Sequence, residues 1–539
     1  MIAATTTLTA GAGPGPIELV FVLLFLATGL AVLARRIGIP YPILLVLGGL
    51  VLGFVPGLPP VQLAPDLVFL LFLPPILFGA GFFTSIRDFK ANLRAIGLLA
   101  VGLVMVTTVA VALVAHALIP GLGWAPAFAL GAIVAPPDAI AATAIFQRLG
   151  VPRRIVAILE GESLVNDATA LVLYRTAVAV AVGGSFSLID ASANFVIAAV
   201  GGIAVGVAIG WAVGRLMSKL DDPVFSIVIS FLAPVAIYLP AERLGFSGVL
   251  AAVAAGIFLS RRAARSLSSE VRIAGGAAWQ ILLFLINGAV FILIGLQLPT
   301  VLAGLGDRPA GELLWLAVAI SATVILIRII WAYPASYIPR LVSARIRERE
   351  GLPAARYVFI VAWAGMRGVV SLAAALALPL TLADGTPFPE RNLLIFLTFA
   401  VILATLVGQG LTLPLFIRGL RIAADGGQAH EEAHVRRAAA EAAVAEIERL
   451  AEKWPDHLPL IETLRSQYGH RAEHLGDLHS EVPQNESEKE LLEHREIRRA
   501  VIDAERETII RLRDSGAISD DTFRSIERDL DLEELRMEA

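Results

Sequence analysis

The chain has 539 residues, of which 57% are apolar and only 17% charged. Because soluble proteins carry about 25% charged residues, this composition excludes an ordinary soluble domain, and the lack of cysteine excludes disulfides, thiol catalysis and thiolate metal sites. Residues 1–421 carry 27 Lys+Arg and 18 Asp+Glu, whereas residues 422–539 carry 16 and 29, so a long apolar part precedes a compact acidic part.

Thirteen apolar segments predict a polytopic membrane protein of the all-α class. A helix needs about 20 mainly apolar residues to cross a bilayer. Residues 1–16 have no Lys or Arg, unlike a cleavable signal peptide, so we expect a short external N-terminus, a transmembrane domain over 17–420 and a cytoplasmic domain over 421–539. The predicted spans cover residues 17–34, 39–55, 66–83, 95–118, 125–146, 155–182, 195–216, 223–240, 246–260, 277–298, 313–337, 357–380 and 393–417.

The basic residues between these spans predict the orientation. Lys and Arg collect in cytoplasmic loops, and alternate loops of this chain hold 21 of them, whereas the intervening loops hold only Arg243, Arg308 and Arg391. This asymmetry predicts a multi-pass protein of the cell (inner) membrane, with its N-terminus outside and its C-terminus in the cytoplasm.

Seven charged residues lie in the interior of the predicted spans, away from the span ends. An ionised side chain in hydrocarbon costs several kcal/mol, so such residues face the bundle interior and are paired or used in transport. We expect Arg175 and Arg328 to form helix–helix ion pairs and Glu160 to be structural or to lie at a cytoplasmic vestibule. The full set is Asp138, Glu160, Glu162, Asp167, Arg175, Arg328 and Arg367.

Two spans are interrupted at corresponding places. Span 5 contains Pro136 and Pro137, which lack N–H donors, and span 12 contains the run Gly365–Gly368. Because thirteen spans permit two six-span halves of opposite orientation, span 5 corresponds to span 12. Broken helices at matching places in inverted halves point to the binding site of a transporter.

One face of span 6 offers an all-oxygen set. Ser163, Asn166 and Asp167 stand at helical positions i, i+3 and i+4 and present a hydroxyl, an amide carbonyl and a carboxylate. With carbonyls freed in span 5, this set suits a monovalent cation, but it has too few carboxylates for a tight calcium or magnesium site. Glu162 lies on a different face and is placed to meet Arg367.

A carboxylate that binds either a cation or a proton couples the two ions. Each ligand of Asp167 excludes the other, so exchange results if only the loaded forms cross the membrane readily. Asn166 cannot titrate, whereas a second Asp there would carry a further proton. The sequence therefore predicts electroneutral, one-for-one exchange.

The run Gly161–Glu162–Ser163–Leu164–Val165–Asn166–Asp167 resembles the span-6 signature of the sodium/proton exchangers, the cation/proton antiporter-1 family. Three further runs are similar to bacterial members in the same order, and the resemblance covers roughly residues 17–420. These runs are Leu73–Leu77 in span 3, Gly365–Gly368 in span 12 and Gly408–Pro414 in span 13.

This resemblance implies a homodimer with the sodium/proton antiporter fold, in which crossed broken helices lie in a six-helix core that moves against a dimerisation domain. It implies cation and proton binding at Asp167 with Asn166 and Ser163 beside it, a charge-balancing role for Asp138 and a structural ion pair between Glu162 and Arg367. Where many relatives have threonine before this aspartate, the chain has Pro137, which offers a carbonyl but no hydroxyl.

The predicted function is alternating-access exchange of Na⁺ for H⁺, serving pH and sodium homeostasis. Exchange of K⁺ or Li⁺ on the same fold is the alternative, and a cation channel is disfavoured because no filter-like loop occurs. A metalloprotease would need a His-Glu-x-x-His set, and a primary pump a phosphate-binding Gly-rich loop; neither is present. We expect no enzyme activity, cofactor, transition metal or nucleic acid partner.

The acidic C-terminal part reads as four helices near residues 429–452, 457–476, 485–514 and 519–537. Apolar stripes on charged helices indicate a small regulatory or dimer-forming domain. Histidine titrates near physiological pH, which suggests a cytoplasmic pH sensor as an alternative. Seven of the eight histidines lie here, at positions 430, 434, 457, 470, 474, 479 and 494.

Removal of this tail tests the pH-sensor hypothesis. We expect a chain truncated after Arg421 to transport with a pH profile displaced from that of the full chain, because the tail histidines are then lost. The displacement is obtained from initial exchange rates between about pH 6 and 9. The vesicles compared contain equal amounts of the two proteins. An unchanged profile contradicts the hypothesis.

Overall fold

A computed structural model describes residues 16–56, 68–183, 187–220, 222–422, 427–477, 484–515, 517 and 519–538. Within these residues the regular secondary structure is helical, apart from one isolated bridge between Thr381 and Pro387. The chain divides into two compact units after Ala424, and each unit is described separately below.

Each of the thirteen predicted spans coincides with a helical segment, labelled here α1 to α13. The segments are α1 Pro16–Ile37, α2 Tyr41–Gly53, α3 Val68–Phe83, α4 Leu93–Leu118, α5 in two halves Trp124–Val134 and Ala139–Leu149, α6 Arg153–Val182, α7 Leu188–Leu220, α8 Pro223–Arg243, α9 Gly248–Ser266, α10 Ser269–Leu296, α11 Ala310–Val342, α12 in two halves Ala355–Trp363 and Val369–Leu376, and α13 Arg391–Gly419.

Eight of these segments are long and apolar enough to cross a membrane, namely α4 to α8, α10, α11 and α13. Helices α2 and α3 are apolar but shorter, and α12 consists of two short halves. The all-helical membrane fold is therefore confirmed, whereas the count of thirteen crossings stays a prediction.

The helices of the first unit form two groups that pack more densely within themselves than against each other. One group, called here the scaffold, comprises α1 to α3 and α7 to α10; its densest contacts join α3 to α9, α7 to α9 and α2 to α10. A Cβ added to Gly81 of α3 would lie 2.6 Å from the carbonyl oxygen of Val253 in α9, so the absence of a side chain permits this close packing.

The second group, called here the core, comprises α4 to α6 and α11 to α13. Helix α5 packs between α4 and α6, and α11 packs against α4, α12 and α13. Because both broken helices belong to the core, the residues at their breaks are held by one set of packed helices.

The second unit contains four helices, α14 Gly427–Lys453, α15 Leu458–Asp477, α16 Gln484–Asp514 and α17 Asp520–Glu538, within two residues of the predicted bounds. Helix α14 pairs with α15, and α16 pairs with α17. Ile502, Ile509, Phe523 and Leu530 form the apolar contact between α16 and α17.

An ion pair reinforces this α16–α17 contact. Arg506 donates to Asp531 and Glu534, each at 2.8 Å, and its hydrogen bond to Glu534 holds the pKa of that carboxyl below its usual range. Among the seven tail histidines only the side chain of His457 lies within the described residues, so the pH-sensor hypothesis and the regulatory role of this unit remain predictions.

Candidate ion-binding site

The breaks of α5 and α12 cross each other. The backbone N–H of Asp138 donates to the carbonyl of Met366 at 2.6 Å, which joins the two breaks directly. Pro136 and Pro137 provide no N–H, so the first half of α5 ends at Val134 and a new helix begins at Ala139. The crossing therefore brings two helix amino ends and two helix carboxyl ends together inside the core.

A cationic side chain contacts each carboxyl end. The guanidinium of Arg367, which is fully buried, donates to the carbonyls of Val134 at 3.1 Å, Ala135 at 3.5 Å and Gly365. Arg328 of α11 donates to the carbonyls of Ala362 and Val361 at 3.2 and 3.1 Å. Because a helix carboxyl end carries about half a negative charge, both guanidinium groups stabilise the ends that they contact.

Asp138 faces the amino ends. Its Oδ1 accepts from the backbone N–H of Ile140 at 2.9 Å and thereby caps the second half of α5. A Cβ added to Gly368, which precedes the second half of α12, would collide with the Asp138 carboxylate. One negative charge thus lies beside two amino ends, where partial positive charge is concentrated.

Glu162 is paired with Arg328, so the prediction that Arg367 is its partner is wrong. The two carboxylate oxygens of Glu162 lie 2.5 and 2.9 Å from the terminal nitrogens of Arg328, and both side chains are 0% exposed. The break at Gly365 turns Arg367 towards the α5 carbonyls, whereas Arg328 lies between α6 and the first half of α12. Sequence spacing within one helix cannot reveal this arrangement.

Arg328 and Arg175 both form helix–helix ion pairs, which confirms the expectation for them. Arg175 of α6 lies 2.6 Å from Glu242 of α8, and Glu242 also accepts from the backbone N–H of Gly248 at 3.0 Å. The Arg175–Glu242 pair joins the core to the scaffold, whereas the Glu162–Arg328 pair lies within the core.

Asn166 connects α6 to the break of α5. Its Nδ2 donates to the carbonyl of Pro137 at 2.8 Å, which satisfies one carbonyl at the proline break. Its Oδ1 has no hydrogen-bond partner among the described residues, although the residue is fully buried. Asn166 thus holds the proline break of α5 and carries one buried oxygen without a donor.

Asp167 lies at a cavity of about 470 Å³ that is also lined by Ser163, Pro137 and Asp138. Asp167 is 7% exposed, and no hydrogen bond or ion pair from another described side chain reaches its carboxylate. The structure therefore brings Ser163 and Asp167 together with the break of α5 at this cavity, whereas Asn166 reaches the break through its hydrogen bond and is not among the residues that line the cavity.

One side of the cavity reaches the protein surface. Its lining includes Glu160 of α6 and the exposed Gln147 of α5, and these two residues flank Arg148, Arg153 and Arg154 in the sequence. Ala170, one helical turn after Asp167, belongs instead to a buried apolar cluster with Val104 and Ala135. Glu160 thus lines the same cavity as Asp167.

Three further cavity-lining residues have an unpartnered side-chain oxygen, and none of them was predicted as a site residue. Thr143, Asn287 and Ser371 each have a side-chain oxygen that is buried and has no partner among the described residues. They are uncharged, so they do not stand out beside the charged residues of the spans. The signal available in the sequence was the amide of Asn287 in the middle of the apolar helix α10. Within the described residues, no group of three or more His, Cys, Asp or Glu comes together in a way that would hold a metal ion.

The partner of Glu162 can be tested by paired substitutions. Arg328→Gln leaves a buried carboxylate without its counter-charge, so we expect a loss of about 3–5 kcal/mol in the free energy of unfolding. Adding Glu162→Gln removes that carboxylate and should recover part of the loss. Unfolding of the detergent-solubilised variants measures both changes.

Arg367→Gln is the matched control, because its guanidinium contacts carbonyls and not Glu162. Addition of Glu162→Gln should give no recovery in that background. Equal recovery with both arginine variants would contradict the assignment of Arg328.

Comparison with known proteins identifies the family. Residues 21–419 match the family model described as sodium/hydrogen exchanger, transmembrane. The uncharacterised Na⁺/H⁺ exchanger YjcE of Escherichia coli is 34% identical over 95% of this chain and 97% of its own length. A sodium, potassium, lithium and rubidium/H⁺ antiporter of Bacillus pumilus is 38% identical over 70% of this chain and 57% of its own.

A solved structure shows the same fold. The sodium proton antiporter MjNhaP1 from Methanocaldococcus jannaschii superposes with a TM-score of 0.57 at 21% identity, over 74% of this chain and 97% of that chain. Together with the family match over most of the membrane domain, these similarities show that the chain belongs to the sodium/hydrogen exchanger family of cation/proton antiporters.

Proposed function

We propose that this chain exchanges Na⁺ for H⁺ at Asp167 by alternating access, with K⁺ or Li⁺ as alternative cations. The observation that carries the proposal is the Asp167 carboxylate, which lies at the end of a cavity beside the crossed breaks and has no counter-charge in contact. Ser163, the Asn166 amide oxygen and the Pro137 carbonyl are the proposed neighbouring ligands.

The fixed charges around the crossing favour one monovalent ion. Glu162 neutralises Arg328 in direct contact, and Asp138 and Arg367 add one buried charge of each sign near the crossing. Asp167 is then the one carboxylate in this group without a compensating charge. Because buried net charge is costly, one proton or one alkali cation completes the neutral state, which supports electroneutral, one-for-one exchange.

The choice of Na⁺ rests on the ligand chemistry and on the relatives. Hard alkali cations prefer oxygen ligands, and this site presents oxygen atoms only. The Escherichia coli relative is named for Na⁺, whereas the Bacillus pumilus relative is named for four alkali cations, which keeps K⁺ and Li⁺ as alternatives. Pro137 brings no hydroxyl, and its carbonyl already accepts from Asn166.

The surroundings of Asp167 favour an antiporter over a channel. A channel needs a path that opens to both sides, whereas Ala170, one helical turn after Asp167, belongs to a buried apolar cluster with Val104 and Ala135. The basic loops favour the cytoplasm for the open end, so we assign this conformation as inward-open. In the proposed cycle the core moves against the scaffold of a homodimer in the cell membrane and exposes Asp167 to the other side.

Removal of the Asp167 carboxylate tests the site. In acid-loaded inverted vesicles that contain the wild-type chain, addition of Na⁺ should collapse the proton gradient. With Asp167→Asn the gradient should persist, because the neutral amide can neither release a proton nor balance the charge of a cation. A pH-sensitive dye follows the gradient as Na⁺, K⁺ and Li⁺ are added separately.

Gln147→Ala is the control for this measurement, because Gln147 lines only the exposed end of the cavity. It should retain the wild-type rate. Full activity of Asp167→Asn, with the protein verified in the membrane, would overturn the site assignment.

A membrane potential tests the stoichiometry. Exchange of one Na⁺ for one H⁺ moves no net charge, so a potential of about 100 mV, which is worth roughly 2.3 kcal/mol per charge moved, should leave the initial rate and the final ion gradient unchanged. Reconstituted vesicles with a valinomycin-clamped potential provide the measurement when Na⁺ is the exchanged cation. A final Na⁺ gradient that follows the imposed potential would contradict electroneutral exchange.

A further inference from the structure

Asn287 is a buried amide with no assigned role. It lies in the middle of α10, is 8% exposed, and its Oδ1 has no hydrogen-bond partner among the described residues. A buried oxygen without a donor destabilises the folded protein, so such an atom indicates a ligand or water that occupies the space beside it.

The side chain of Asn287 faces the ion cavity. Leu283 and Asn287, one helical turn apart, both line the cavity that holds Asp167. The next residue, Gly288, faces the opposite way, towards Ala27 and Leu45 of α1 and α2. The amide therefore points from the scaffold into the site, opposite the α6 residues that carry the proposed cation ligands.

Asn287 and Asp167 belong to different groups of helices. Helix α10 is held to α2 by close packing: Gly295 leaves no room for a Cβ against the carbonyl of Val46, and Gly49 none against that of Ile292. Asp167 and the unpartnered hydroxyl of Ser371 are carried by the core. A displacement of the core against the scaffold therefore changes the distance from Asn287 to Asp167, while the separation of Ser371 from Asp167 stays the same.

We propose that Asn287 is a cation-coordinating residue that the scaffold supplies in the inward-open conformation and withdraws when the core moves. The inference rests on the proposed exchange at Asp167 and adds a ligand that is specific to one side of the membrane. An alkali cation that loses its hydration shell needs oxygen atoms in place of water, and the Asn287 Oδ1 is a neutral oxygen that leaves the charge balance of the site unchanged.

The consequence is a difference in cation affinity between the two faces. On the inward-open side, the cation contacts the core ligands and Asn287 together. On the outward-open side, it contacts the core ligands alone. The asymmetry is therefore a property of α10 and not of Asp167, and substitutions at position 287 should change it.

The experiment compares Asn287→Ala with the wild-type chain in inside-out and right-side-out vesicles prepared from the same cells, with Na⁺ supplied on one face at a time. We expect the apparent KM for Na⁺ to rise roughly 3- to 10-fold on the face with the basic loops, the change expected when one polar contact is lost. The apparent KM on the other face should stay within about twofold, so the ratio of the two values changes.

Two further variants keep the test decisive. Asn287→Asp retains an oxygen at the same place and should hold the inward apparent KM at or below the wild-type value. Ser371→Ala removes an unpartnered oxygen that moves with the core, so any effect on KM should appear on both faces. Thermal unfolding of each variant in detergent establishes that the protein is folded.

The outcomes separate this inference from the proposed function. An equal rise in KM on both faces with Asn287→Ala would overturn the side-specific role, and no change on either face would overturn the ligand role; both results leave exchange at Asp167 intact. A wild-type chain that shows no Na⁺, K⁺ or Li⁺ exchange in the same vesicles would instead refute the proposed function itself.

Discussion

The crossing of two interrupted helices is the constraint on which the rest of this structure depends. A backbone that leaves the helical conformation at membrane depth has N–H and C=O groups without partners, and the hydrocarbon offers none. Pro136 and Pro137 enforce such an interruption in α5 because they cannot donate. The chain accommodates it by placing the interruption against a second one, so that the N–H of Asp138 finds the carbonyl of Met366.

The remaining helix ends account for most of the buried polar residues nearby. Arg367 contacts the carboxyl end of the first half of α5, and Arg328 that of the first half of α12. Asp138 caps an amino end, and Asn166 reaches the Pro137 carbonyl. These residues compensate the cost of the crossing, which explains why charged groups persist in an otherwise apolar core and why they are arranged around one point.

Much of this arrangement could be predicted from local signals in the sequence. The apolar runs determine where the helices lie, and the four tail helices fall within two residues of their predicted bounds. The two prolines of span 5 and the glycines of span 12 mark the breaks because each residue type acts on its own backbone. Ser163, Asn166 and Asp167 share a helix face for the same local reason.

Long-range pairing was the part that could not be predicted. Glu162 and Arg328 are 166 residues apart, and the choice between Arg328 and Arg367 depends on how α11 packs against α6 and on the direction in which the break turns Arg367. The sequence does not single out Asn287, Ser371 and Thr143, because uncharged polar residues occur in membrane helices without any special role. Only the shared cavity distinguishes them, and a cavity is a property of the packed helices.

The contrast between Glu162 and Asp167 shows how one helix can hold two carboxylates with different consequences. Both belong to α6 and both are buried. Glu162 lies against a guanidinium that meets both of its oxygens, so a cation or proton would have to displace a fixed charge before it could bind there. Asp167 lines a cavity and contacts no cationic side chain, so it has no fixed counter-charge. The position of one arginine in α11 therefore decides which carboxylate holds the core together and which is left without a cationic partner.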